Sequence, residues 1–156
     1  MTILRYKFPH LEAELALADP RLLVLVLYAA GMSVNRGWAV SHLTVTSVRR
    51  QHLQGSPLSV HEVLPCRGCD VRALGVLTEA EALALEANVN LEFDYSPLPT
   101  GTEQLKACWY ETQDRALERG RDPNLPAIVS HLHFQVPEWR GVGRPMVNLY
   151  PSTVIA

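Results

Sequence analysis

The apolar positions of this chain follow two different periods. Leu11, Leu15 and Ala18 stand at helical spacing within residues 9–19, which predicts a first helix. Asp19-Pro20 then offers a capping side chain followed by a residue suited to a first helical turn. The next helix is expected over about 20–33 and is apolar nearly all round, which places it in a core. Gly31 and Gly37 mark its end and a turn. His42 to Ser47 alternates Leu43 and Val45 with Thr44 and Thr46, the pattern of a strand. Residues 49–65 hold Gly55, Pro57 and Pro65 and read as loop, with a short strand over Asp70 to Ala73. Thr78 and Glu81 form a capping box that opens a helix over 78–90. Residues 94–104 are turn-rich, Leu105 to Glu111 reads as a strand, 112–126 as a long loop, and Ala127 to Val136 as a strong strand. The tail 137–156 has no clear period. Strands that follow one another without regular helical crossovers imply an α+β fold. We expect one domain over 1–156, a mainly antiparallel sheet with packed helices.

Composition narrows the classes of function. The 156 residues are 47% hydrophobic and 19% charged, globular values. A net charge of −2 argues against a nucleic-acid binder, which needs a basic stripe to neutralise phosphates. Three cysteines cannot all pair, so the chain is not a disulfide scaffold. The longest apolar run, Leu22 to Ala30, is too short to be a transmembrane segment, which needs about twenty residues. The N-terminus lacks the pattern of a signal peptide, so a cytoplasmic location as synthesised is expected. Six histidines are the one compositional oddity with chemical content.

Two of them form His131-Leu132-His133 inside a strand pattern. Residues i and i+2 of a strand share a face, so both imidazoles project together, a common basis for a metal site. An exposed polar face on an edge strand gives the same pattern. Upstream, Ser59-Val60-His61 precedes Cys69-Asp70-Val71. Alone, these are a loop histidine and a capping or salt-bridged aspartate. With the downstream pair they supply a His, Asp, His set, and three protein ligands with an open fourth position are what metal-assisted hydrolysis needs. Arg49 and Arg50 end the first strand, where an arginine can hold a carboxylate or an oxyanion, or simply be solvated.

In this order the segments TVTSVRRQ, SVHEVLPCRGCDVRA and SHLHFQV resemble the zinc D-Ala-D-Ala carboxypeptidase and L-alanyl-D-glutamate endopeptidase family. Its metal-site fold is shared with the hedgehog signalling domain, and it includes many phage endolysins. The resemblance covers residues 20–136, and its weight lies in the order of short motifs. It implies a hedgehog-like fold and zinc held by His61, Asp70 and His133. His131 would stand beside the metal as a transition-state histidine, Arg50 in the substrate cleft, and Ser59 in the loop before the first ligand. The implied activity is zinc-dependent hydrolysis of cell-wall peptides that contain D-amino acids. The implied setting is action on the wall after phage-type release or as part of a virion.

Two positions depart from that pattern. Eight residues, Glu62 to Cys69, separate the first histidine from the aspartate, more than the family usually has. Many members carry Asp or Glu three residues before the last ligand, and this chain has Ser130. A serine cannot act as a carboxylate base. The acid–base group would then be His131 itself or a carboxylate from elsewhere, with Glu111 first and Glu62 second. Ser130 also favours an alternative, a catalytically weak or inactive zinc-binding module of the same fold, such as a phage-particle protein. Cys66-x-x-Cys69 reads as an inert or weakly disulfide-forming pair, with a redox motif or thiolate ligation in place of Asp70 as rivals, and Cys108 as a core residue.

Overall fold

A computed structural model of the chain describes residues 3–38, 42–49, 61, 64–93 and 106–136. Among them are one five-stranded sheet and four helices, a mixed α+β architecture. The elements run β1 (Leu4–Tyr6), α1 (His10–Ala16), α2 (Pro20–Asn35), β2 (Leu43–Ser47), β3 (Gly68–Arg72), α3 (Glu79–Glu92), β4 (Cys108–Glu111), α4 (Gln113–Glu118) and β5 (His131–Gln135). The strand order is β1-β2-β3-β5-β4. β1 pairs with β2 in parallel, and the other three pairings are antiparallel.

Local chemistry accounts for the long helices. The Asp19 carboxylate accepts from the backbone N–H of Arg21 and, through Oδ2, from Nη2 of the same residue at 2.6 Å. It thus supplies a partner for one of the otherwise unpaired N–H groups of the first turn of α2. The helix buries Leu22, Leu25, Val26, Ala29 and Ala30, while Val24 and Leu27 remain partly exposed. Gly31 lies inside α2 rather than at its end, and the chain turns at Gly37, whose φ of +66° suits glycine. α3 opens on the capping box, with both the Thr78 and the Glu81 side-chain bonds made. Among the described residues no single helix is long and apolar enough to cross a membrane.

Four further features differ from the sequence reading. β1 has no counterpart in the apolar pattern. The expected loop over 112–126 contains α4, capped by the Thr112 hydroxyl, which accepts from the N–H of Arg115. The strands expected over Leu105–Glu111 and Ala127–Val136 are shorter, because β4 and β5 are laddered only where they face each other. β3 begins at Gly68, two residues earlier than expected.

Alternation divides the central strands into two sets of side chains. Cys69, Val71, Cys108, Tyr110, Leu132 and Phe134 join the core cluster with α2 and α3. Asp70, Trp109, Glu111, His131 and His133 occupy the intervening positions and so lie on the opposite face.

A charged cluster ties α3 and α4 to β4. Glu86 of α3 is buried and receives Arg115 Nη1 at 2.7 Å, Lys106 Nζ at 3.2 Å and the backbone N–H of Tyr110 at 2.8 Å. Burial alone would raise the Glu86 carboxyl, but Arg115, the Tyr110 amide and Lys106 outweigh it and lower it. A carboxyl lowered in the folded state stabilises the fold above its unfolded value and loses that contribution as pH falls through the folded value. Below about pH 4.3, the ordinary glutamate value, the wild-type protein should lose stability that Glu86→Gln has already lost. The two urea midpoints should therefore converge on acidification. A gap that stays constant from pH 7 to pH 3 would contradict this role.

Candidate metal centre

Two cross-strand pairings build the centre. Asp70 of β3 stands directly opposite His133 of β5, and on the other side of β5 Trp109 of β4 stands opposite the same histidine. His61, which reaches the site from outside the sheet, points its Nδ1 at the carbonyl of Val48, just beyond β2. A backbone carbonyl accepts only, so Nδ1 is the donor to Val48, which turns Nε2 toward Asp70 and His133.

The three donor atoms form a compact triangle. His133 Nδ1 lies 2.8 Å from Asp70 Oδ1, His61 Nε2 lies 3.4 Å from His133 Nδ1, and His61 Nε2 lies 3.5 Å from Asp70 Oδ1. Ligands of a tetrahedral zinc ion at about 2.0–2.1 Å stand about 3.3 Å from one another. The triangle therefore matches one face of that polyhedron, with its short edge where His133 now donates to Asp70. All three residues are buried, at 1%, 4% and 5% exposure. Two imidazoles and one carboxylate are also ordinary zinc ligands in chemical type. The described residues thus hold a His61–Asp70–His133 group able to bind a metal ion.

Electrostatics favour an ionised Asp70 and an uncharged His133, whose Nδ1 proton would leave when that atom binds a metal. Burial would raise the Asp70 carboxyl, but hydrogen bonds and charge from His133 and His61 hold it well below the ordinary range. Burial lowers His133 and outweighs the attraction of Asp70, which keeps the ring neutral near pH 7. Asp70 thus places an ionised carboxylate in the buried site, whose charge a divalent cation can compensate.

His131 flanks this group. Its Nδ1 lies 2.8 Å from the carbonyl of Val129, and its Nε2 lies 3.3 Å from Glu111 Oε2 and 3.8 Å from Asp70 Oδ1. Burial opposes a charge on this ring, yet Glu111, Asp70 and the Val129 carbonyl outweigh it and raise His131 above its ordinary value. The contact with Glu111 is an ion pair rather than a well-directed hydrogen bond, and the buried Nε2 has no aligned partner. Glu111 in turn accepts from Arg119 Nη2 at 2.7 Å. Burial would raise its carboxyl, but His131 and Arg119 lower it. Glu111 is therefore an ionised carboxylate joined to the metal group through His131.

Of the residues named from sequence, the structure brings together His61, Asp70, His131, His133 and Glu111. Arg50, Ser59 and Glu62 lie outside the described residues. The position of the missing carboxylate, Ser130, uses its backbone carbonyl to accept from Leu74 N–H at 3.2 Å. Cys66 and Cys69 are not joined by a disulfide and are buried, as an inert pair would be, and Cys108 lies in the core. Cys69 faces the core next to Phe134, away from Asp70, so it does not compete for a metal. Burial pushes the Cys66 and Cys69 thiols up, which also disfavours thiolate ligation.

Sequence reasoning missed Trp109. Its ring stacks on His133 with centroids 4.2 Å apart and planes inclined by 32°, which fixes the imidazole from the side away from Asp70. The available signal was its period-2 spacing from Glu111. No family model, curated protein or solved structure matches this chain.

Proposed function

We propose that this protein is a zinc-dependent peptidase acting on peptides of the bacterial cell wall, with a hedgehog-like metal-site fold. The observation that carries the reading is the triangle of His61 Nε2, Asp70 Oδ1 and His133 Nδ1, with His131 beside it on the same strand face. It is the ligand set and order in which the sequence resembles the D-Ala-D-Ala carboxypeptidase and L-alanyl-D-glutamate endopeptidase family. A zinc ion held there would supply Lewis-acid activation of water and of the peptide carbonyl.

The chain's own residues fit the remaining tasks. Asp70 and the rings of His61 and His133 bind. Trp109 and the Val48 carbonyl orient two of those rings. His131, whose pKa Glu111 and Asp70 raise, holds its Nε2 between Glu111 and Asp70 beside the centre, where the charged ring can donate to a developing oxyanion. Glu111 supplies the carboxylate that Ser130 cannot, holding His131 in place and available to take a proton.

The test is incubation of zinc-loaded protein with purified peptidoglycan and assay of released peptides and amines. Release should fall about 100-fold in His131→Ala, the usual scale for one lost oxyanion donor, while zinc content stays at the wild-type level. No release by the wild-type protein at any pH would remove the peptidase reading. The second reading would then stand, a zinc-binding module that has lost catalysis, for which Ser130 speaks.

A further inference from the structure

Cys66 is a hub between the segments that carry the metal group. It lies between His61 and Asp70 in the chain, and it is 4% exposed. Its Sγ stands 3.3 Å from the carbonyl oxygen of Gly68, 3.4 Å from that of Val48 and 3.7 Å from that of His61. Those oxygens belong to three different parts of the centre. Gly68 opens β3, two residues before Asp70. Val48 follows β2 and receives the His61 imidazole. The third is the backbone of His61 itself. The carbonyl of Cys66 is also fixed, accepting from Asp19 N–H at 2.8 Å at the start of α2.

We infer that Cys66 is a positioning residue for His61, its thiol seated between the Val48 carbonyl, the His61 backbone and the start of β3 with one proton to donate among them. The Val48 carbonyl oxygen has two lone pairs, so it can accept from His61 Nδ1 and face the thiol at once. Fixing that carbonyl fixes which ring nitrogen bears the proton, and hence which one is offered to a metal. The C-x-x-C spacing is then incidental: Cys66 serves the ligand loop, and Cys69 fills the core.

The inference rests on the metal reading, but one of its two tests does not need metal. In metal-free protein, nitrogen–proton NMR correlations of His61 should show the Nδ1–H tautomer in the wild type and in Cys66→Ser, which keeps a donor. Cys66→Ala and the volume-preserving Cys66→Val should show mixed tautomers. Zinc affinity, measured by competition with a chromophoric chelator, should weaken about tenfold in Cys66→Ala and Cys66→Val, the scale on which orienting partners act. In Cys66→Ser it should stay close to wild type. Should Cys66→Ala fail to fold, Cys66→Val carries the same comparison. Wild-type tautomer and affinity in the donor-less variants would overturn the inference, as would a serine variant as impaired as the valine one. Absence of zinc binding by the wild type would overturn the metal reading instead, and the tautomer comparison would still decide the role of Cys66.

Discussion

Saturating zinc should raise the melting temperature of the wild-type protein by about 10 °C, and Asp70→Asn should abolish that shift. A ligand that binds only the folded state at about a thousand times its Kd stabilises by about 4 kcal/mol. In a chain of this size each kcal/mol moves the midpoint by about 2–4 °C. Asp70 is the decisive position because it is the one anionic member of the group and contacts both rings. The asparagine side chain keeps the size and one oxygen, but it removes the charge that a divalent cation needs. In metal-free protein Asp70→Asn should also lower the melting temperature at pH 7, since the fold holds this carboxyl well below its ordinary range and so favours the ionised form. Loss of the zinc-induced shift, over and above the loss seen without metal, separates a metal ligand from a merely structural aspartate. A differential scanning series with zinc and with a chelator reads both. An unchanged melting temperature in the wild type would contradict the prediction.

The second large effect concerns the sheet on which the centre stands. Phe134→Ala should destabilise the protein by about 3–5 kcal/mol, the usual cost of truncating a buried aromatic side chain. Phe134 is fully buried, adjacent in sequence to His133, and flanked across the ladder by Cys69 and Cys108. Two small neighbours cannot close over the vacated ring, so the cavity term is kept. Typical domains are stable by only about 5–15 kcal/mol, so this one change removes much of the total. A urea titration measures it, and a loss below about 1 kcal/mol would show that the core cluster does not depend on this strand.

The parts of this fold that were legible in the sequence are those specified locally. α2 and α3 each carry their own cap, Asp19 and Thr78, and enough turns for a helical period to show. β2 shows its alternation within five residues. β1 is three residues long and exists because Leu4, Arg5 and Tyr6 find β2 across a parallel pairing, a fact with no local signature. α4 buries only Ala116, so its six residues look as polar as a loop. β4 and β5 read as longer than they are because apolar alternation continues past the point where the ladder stops.

The site divides in the same way. His131 and His133 share a face by the period of any strand, so their juxtaposition was readable. That Asp70 faces His133 depends on the register of β3 against β5, set by residues far apart in sequence. Trp109, Val48 and Cys66 act by stacking, by a backbone carbonyl and by a thiol among carbonyls, none of which forms a motif. Glu111 was readable only as a carboxylate at a strand end, and its pairing with His131 required the β4–β5 register.

The most direct test of the central claim is a zinc titration of metal-free protein followed by elemental analysis after gel filtration. One zinc ion per chain should be retained in the wild type and in Glu111→Gln, and none in His61→Ala or His133→Ala. Wild-type protein that retains no zinc, or His133→Ala that retains as much as wild type, would contradict a metal centre built on His61, Asp70 and His133.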